Sequence, residues 1–281
     1  MRNSTEDVLR FVKDRDSDVK FIRLAFTDLT GAVKNISLAP DCLPRAFERG
    51  MEFNAAEFEG FGGGSALLFP DPGTLSVLPW RPSHGRVARL YCEIRGHDGV
   101  TAPYDTRSRL RAAAEELDLL GITLRILVSA DFYLFRTDSD GNPTDRPFDD
   151  GGYFDIFPRD KGENVRREIC SYLSEMSVST IASYHAAGPG QNTIALAETD
   201  ALCAADNIQT FKTVVGAVAG QNGLASLEAL NGAALLPESK LALRVAVSAR
   251  GGKAAMRDTD LPAKCNPYKE ILKLVSSAAN G

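Results

Sequence analysis

The order in which strand-like and helix-like segments follow one another is what most restricts this chain. Up to about residue 97 it is written in short strand and turn segments. Beyond that point strands and helices mix without the regular strand-helix-strand alternation that a doubly wound parallel sheet requires, so the architecture expected is α+β. A length of 281 residues agrees with two domains. The boundary falls near residues 97–104, where GHDGVTAPYD carries turn residues and no periodicity, giving domains 1–100 and 101–281.

In the first domain, VKFIRLAFT places Ile22, Leu24 and Phe26 on one face, and DLTG turns the chain into a second strand, AVKNISL. LPRAFERG reads as a short helix closed by Gly50, after which three consecutive glycines at 62–64 mark a loop. Strands are expected through VLPW and RVARLYCEIR. In the second domain, TRSRLRAAAEELDLL is a helix capped by Asp105 or Thr106, and ITLRILV runs apolar on both faces into SADFYLF, as a buried strand does. DSDGNPTDRPFDDGG is expected as a long polar loop, followed by the helix ENVRREICSYLSEM. STIASYH and NTIALAE are strands on either side of a Gly-Pro-Gly turn. The longest helix comes next, with Ile208, Phe211, Val215 and Val218 on its inner stripe. LALRVAVSA is a further strand, and NPYKEILKLVSSAANG a final helix that admits proline in its first turn.

Several function classes are excluded at this level. A net charge of −5 with no basic run makes nucleic acid an unexpected partner. Five scattered cysteines form neither a zinc ladder nor a disulfide framework and fit a reduced, cytoplasmic setting. The opening residues lack the apolar core of a signal peptide, and no apolar stretch reaches membrane-spanning length, so no membrane partner is expected. Dinucleotide, Walker and H-E-x-x-H signatures are absent.

Taken in order, several segments resemble the glutamine synthetase family. FIRLAFTDLTGAVKNISLAP is similar to its first hairpin, GMEFNAAEFEGF to its glycine-acid loop, and LLFPDPGTLSVLPWRP to its P-D-P strand entry. SADFYLF stands where the family carries Glu-Pro-Glu and aromatics, GGYFDIFPRD is similar to its G-G-Y-F segment, and HAAGPGQNTI to H-E-V-A-P-G-Q-N-E. ADNIQTFKTVV, in the long helix, is the most specific match, and the likeness runs from about residue 19 to about residue 224. Beyond 224 only CNPYKEIL resembles a family segment, and a large internal part of the family's catalytic half has no counterpart.

The resemblance implies a β-grasp N-terminal domain followed by a shortened antiparallel sheet and helix domain that forms half of a catalytic funnel. It also implies rings in which the N-terminal domain of one subunit completes its neighbour's site, so homo-oligomers or co-assembly with an intact synthetase are expected. The family's chemistry uses ATP to phosphorylate glutamate before ammonia displaces the phosphate, and it needs Mg²⁺ or Mn²⁺, hard cations that want carboxylate ligands.

Those ligands are the test. The resemblance sets the two Glu-Pro-Glu metal ligands on Ser129 and Asp131, and the two glutamates of the second motif on Ala186 and Thr193. Three of four carboxylates are lost, where even outer changes around a metal cost about 10- to 100-fold in affinity. The family's ammonium-binding aspartate falls on Asn54, which neither holds a cation by charge nor takes its proton. No histidine follows His185, although the family uses one in the second half of its catalytic domain. His185 itself reads as a half-buried strand histidine.

Asp131 is either a vestigial metal ligand or a structural carboxylate; Gln191 and Asn192 either face a pocket or serve the turn; Tyr153 either lines a nucleotide pocket or packs. The reading that follows is a catalytically silent synthetase-like protein with a binding, assembly or regulatory role in nitrogen metabolism, for which no cofactor is assigned, Mg²⁺ or Mn²⁺ and ATP being expected only if activity is retained. Two alternatives stand beside it. One is an active ATP-dependent ligase that recruits Asp131, Asp155, Glu198 or Asp200 as substitute ligands for Mg²⁺ or Mn²⁺; the other is a metal-independent sensor of a small amino acid.

Overall fold

The computed structural model describes residues 3–81, 84–227, 240–249, 254–262 and 264–279. Two compact units divide it, residues 1–113 and 114–281.

The first unit contains α1 (Thr5–Lys13), β1 (Val19–Thr27), β2 (Val33–Leu38), α2 (Leu43–Arg49), β3 (Met51–Asn54), β4 (Ser65–Pro70), β5 (Ser76–Val77), β6 (Arg86–Arg95) and the start of α3 (Thr106–Leu119). Helix α1 begins in a capping box in which the Ser4 hydroxyl accepts from the Asp7 amide and the Asp7 carboxylate accepts from the Ser4 amide. It buries Val8 and Val12, one turn apart. Leu9 and Phe11 pack partly buried against the same core, so a helical apolar face is present in a segment for which the sequence analysis assigned no element.

Strand order is β2-β1-β6-β4-β3, with β5 alongside β6; β1 runs antiparallel to β2 and parallel to β6, as the β-grasp expectation requires. Ile22, Leu24, Leu38, Ala88 and Leu90 point into one core with Leu43 of α2. Burying a side chain of this size is worth roughly 1.5–3 kcal/mol, so the alternation fixes which face of each strand turns inward. Expected strand VLPW shrinks to β5, since Pro79 has no amide to donate to a ladder.

The second unit adds β7 (Ile122–Thr137), β8 (Pro143–Pro147), α4 (Glu163–Glu175), β9 (Thr180–His185), β10 (Gln191–Asp200), α5 (Ala201–Gln221), β11 (Leu224–Leu227), β12 (Lys240–Ala249), β13 (Ala255–Pro262) and α6 (Pro267–Ala279). Sheet order is β13-β12-β7-β10-β9, and β8 and β11 also pair with β7. Among the described residues the strand pairings of this sheet are antiparallel throughout. The loop expected after β7 therefore contains a strand: Thr137 pairs with Pro143 and Phe135 with Pro147, a hairpin that prolines at an edge allow.

Along β7 the residues Leu124, Ile126, Val128, Ala130, Phe132 and Leu134 are buried, and Phe132 meets Phe211 of α5 edge-on at 5.8 Å. The alternate set, Leu127, Ser129, Asp131 and Tyr133, projects from the opposite face. Helix α5 is capped by Asp200, which accepts from the Cys203 amide, and buries Ile208, Phe211, Val215 and Val218 as its periodicity predicted. Tyr268 of α6 is fully buried and donates its hydroxyl proton to Asp206 Oδ1 at 2.7 Å. Among the described residues no helix is long and apolar enough to cross a membrane.

Candidate functional site

Strand register brings three of the four expected ligand positions, Ser129, Asp131 and Thr193, together on the face of the second sheet opposite Phe132. Thr193 lies directly across from Asp131, and Ala195 across from Ser129. Thr193 Oγ1 donates to Asp131 Oδ1 at 2.7 Å, and Gln191 Nε2 reaches Asp131 Oδ2 at 3.4 Å. Thr193 is thus a hydrogen-bond donor to the one carboxylate that remains at these four positions. Partial burial raises the Asp131 carboxyl above the ordinary aspartate range, and the Asp260 charge adds to that effect, against the Thr193 hydrogen bond and the Lys240 charge. Tyr133, two residues on, is buried, and its hydroxyl has no hydrogen-bond partner among the described residues.

Ala186 follows β9 and is buried; its amide donates to the Gln191 carbonyl at 2.8 Å, and the Gly188 amide donates to Gln191 Oε1 at 2.9 Å. The turn between them depends on Gly190. Its φ is +65°, and a Cβ there would stand 2.6 Å from the Leu134 carbonyl oxygen, so no other residue fits without displacement.

A buried polar network that the sequence reading missed holds this turn. Asp149 Oδ1 accepts from the Gly190 amide at 3.0 Å and lies 2.8 Å from His185 Nε2, while Asp149 Oδ2 accepts from the Lys161 amide at 3.0 Å. His185 is not half-buried as expected but fully enclosed. Its Nδ1 lies 2.8 Å from the Ala186 carbonyl oxygen, so each ring nitrogen has an oxygen partner within hydrogen-bond distance. Burial would raise the Asp149 carboxyl, but the His185 contact and the Gly190 and Lys161 amides outweigh it and hold it below the ordinary value. Beside this pair, Arg166 binds Asp160 through two contacts of 3.0 and 2.6 Å and donates to Asn192 Oδ1 at 2.6 Å; Asn192 Nδ2 then donates to the Gly190 carbonyl at 2.9 Å. Asn192 is completely buried in this network. Asp149, Asp160 and Arg166 escaped notice because the partners are 6 to 41 residues apart and share no spacing motif.

Ligand atoms of Asp149, Asp160 and His185 lie within 4.8 Å of one another, which would suit a metal by distance alone. The cationic guanidinium of Arg166 already occupies the Asp160 carboxylate from both oxygens. At the family's expected position, Asp131 with two hydroxyls and an alanine does not supply the anionic oxygens that clustered Mg²⁺ or Mn²⁺ ions require.

The other candidates are dispersed. Asn54 is exposed and caps its own turn: Oδ1 accepts from the Ala56 amide at 3.1 Å and Nδ2 donates to Glu57 Oε1 at 3.0 Å. Tyr153 is 62% exposed, stacked 3.9 Å from Phe154 and edge-on to Tyr184. Asp155 accepts from the Gly152 amide and pairs with Arg159, Glu198 pairs with Arg125, and Asp200 caps α5.

A β-grasp unit followed by an antiparallel sheet backed by helices, with its glycine turn braced by a buried histidine-aspartate pair, defines the class. Comparison with known proteins gives the family. The sequence model described as "Glutamine synthetase, beta-Grasp domain" matches residues 18–97, and that described as "Glutamine synthetase, catalytic domain" matches residues 103–228. A glutamine synthetase of Methanosarcina mazei is 37% identical over 268 residues, covering 92% of this chain and 58% of the relative. One of Clostridium saccharobutylicum is 39% identical over 222 residues, covering 78% of this chain and 50% of the relative. Plasmodium falciparum glutamine synthetase, solved by cryoEM, superimposes with a TM-score of 0.77 at 16% identity, over 89% of this chain and 55% of that one. The chain belongs to the glutamine synthetase family. It spans about half the length of the curated relatives it matches, and the 92% coverage carries the likeness past residue 224, where the quoted motifs had ended.

Proposed function

We propose that this chain is a catalytically silent member of its family, kept for binding or assembly in nitrogen metabolism. The observation that carries the reading is the bond from Thr193 Oγ1 to Asp131 Oδ1: a position expected to supply a second anion instead donates a proton to the first. Asp155, Glu198 and Asp200, the substitutes an active enzyme could recruit, are engaged with Arg159, Arg125 and the start of α5. Calorimetric titration with Mg·ATP and Mn·ATP tests this. No metal-dependent nucleotide binding is expected; micromolar binding together with phosphate release from any amine and carboxylate pair would overturn it. Self-association, or co-assembly with an intact synthetase, is the role we assign. Light scattering that shows a monomer, with no capture of an intact synthetase, would remove it.

One observation favours a second reading, a metal-free binder of a small amine or amino acid. The Tyr133 hydroxyl is buried without a hydrogen-bond partner among the described residues, on the face that carries Asp131 and Gln191. Thermal shifts with glutamate, glutamine and simple amines would support it, and flat melting curves across that panel would dismiss it.

A further inference from the structure

On the outer face of the first sheet, four strands set a row of side chains in register. Ser37 of β2 stands across from Arg23 of β1, Arg23 across from Arg89 of β6, and Arg89 across from Ser76 of β5. Residues paired in this way project from the same face, with neighbouring strands about 4.8 Å apart. The opposite face carries the core residues Ile22, Leu24, Ala88 and Leu90, so the row looks outward. Two like charges directly across a strand pair destabilise it. Arg81 brings a third positive charge to bear on Arg23.

Counter-charges nearby are already taken. Asp71 is bound by Arg107 and Arg111, and Glu93 by Arg95 and Arg111. Among the described residues no ion pair engages the side chains of Arg23 or Arg81. Partial burial, followed by the Arg81 charge, depresses the Arg23 guanidinium. Arg89 is 9% exposed and its guanidinium lies 3.8 Å over the Tyr91 ring, which holds its plane fixed. Ser76 is 7% exposed, and its hydroxyl is buried with no hydrogen-bond partner among the described residues although it stands directly across from Arg89. A buried donor left unmade costs about 1–3 kcal/mol.

We infer that the Ser76, Arg89, Arg23 and Arg81 group is a binding site for a phosphoryl group, either free phosphate or the terminal phosphate of a small ester. Guanidinium forks match tetrahedral oxyanions with paired N–H donors, and a hydroxyl supplies one more. One dianion placed between the two cross-strand arginines removes their mutual repulsion and gives the Ser76 hydroxyl an acceptor. The site needs no metal and uses residues of the first unit alone, so it is independent of whether the chain is silent.

The full chain would be titrated with inorganic phosphate, with glycerol phosphate and with sulfate in a buffer containing a metal chelator, and binding followed by calorimetry and thermal shift. Saturable one-to-one binding is expected. Arg23→Gln and Arg81→Gln, both reaching solvent, each weaken it about tenfold or more, as loss of a charge-assisted hydrogen bond does. Ser76→Ala weakens it less, and the distant Arg45→Gln on α2 leaves it unchanged. Preference for glycerol phosphate over free phosphate identifies the ester as the ligand, and the reverse identifies the free ion. Absence of saturation at millimolar phosphate, or equal binding by wild type and the Arg23→Gln, Arg81→Gln double variant, overturns the site. Arg89→Gln is a supplementary variant, since its burial puts folding at stake.

Discussion

Asp160→Asn gives the sharpest test of how the glycine turn is held. The side chains of Arg166 and Asp160 are 5% and 1% exposed, so the pair sits in a medium where an unmatched charge is costly. An asparagine in place of Asp160 keeps one acceptor for Arg166 and removes the negative charge, leaving the guanidinium with Asn192 Oδ1 as its other side-chain oxygen partner. Stranding one member of a buried pair costs about 3–5 kcal/mol. A unit of this size shifts about 2–4 °C per kcal/mol, so the second unit's transition should fall by roughly 6–20 °C in calorimetry. The matched control is Arg159→Gln, whose partnership with Asp155 is 62% exposed on the arginine side and is worth at most about 1 kcal/mol. Hydrogen exchange at Gly190 and Asn192 should accelerate in the first variant and stay unchanged in the second. Equal melting temperatures for the two variants would refute the view that the Arg166 network braces the turn.

Three further outcomes follow from the geometry. Gly190→Ala combines a left-handed φ with a 2.6 Å clash against the Leu134 carbonyl and should cost more than about 2 kcal/mol in chemical denaturation. Asp71 and Asp149 are both held below their ordinary values: burial opposes this, but Arg107 and Arg111 outweigh it at Asp71, and His185 with two backbone amides at Asp149. Their stabilisation is therefore complete above about pH 4 and is lost as pH falls through the depressed values, so a thermal melt series should drop steeply only on the acid side of that point. Asp131→Asn removes a carboxyl raised by burial while leaving an acceptor for Thr193, so stability at neutral pH should be unchanged or higher; a clear loss would show that the negative charge itself is needed there.

Much of the fold could be read directly. Alternation along residues 19–27 and the helical spacing of Ile208, Phe211, Val215 and Val218 report burial, because each period matches one element's geometry. An element lacking that contrast was lost, since β13 is exposed along most of its length, whereas α1 was missed although Val8 and Val12 are buried and Leu9 and Phe11 pack beside them. At the site, the strands themselves could be anticipated and their register could not. Only pairing shows that Thr193 faces Asp131, and only the packed chain brings Asp149 to Gly190 across 41 residues.

The central position of β7 also sets the order in which the chain can be completed during synthesis. One of its edges is filled by β12, which begins at Lys240, whereas β7 ends at Thr137. At ribosomal speeds of about 5–20 residues per second, the intervening stretch takes on the order of 5–20 s to emerge. Throughout that interval one flank of an apolar ribbon stands open beside the exit tunnel, and a nascent chain of this design has reason to recruit a chaperone before its own last strands arrive.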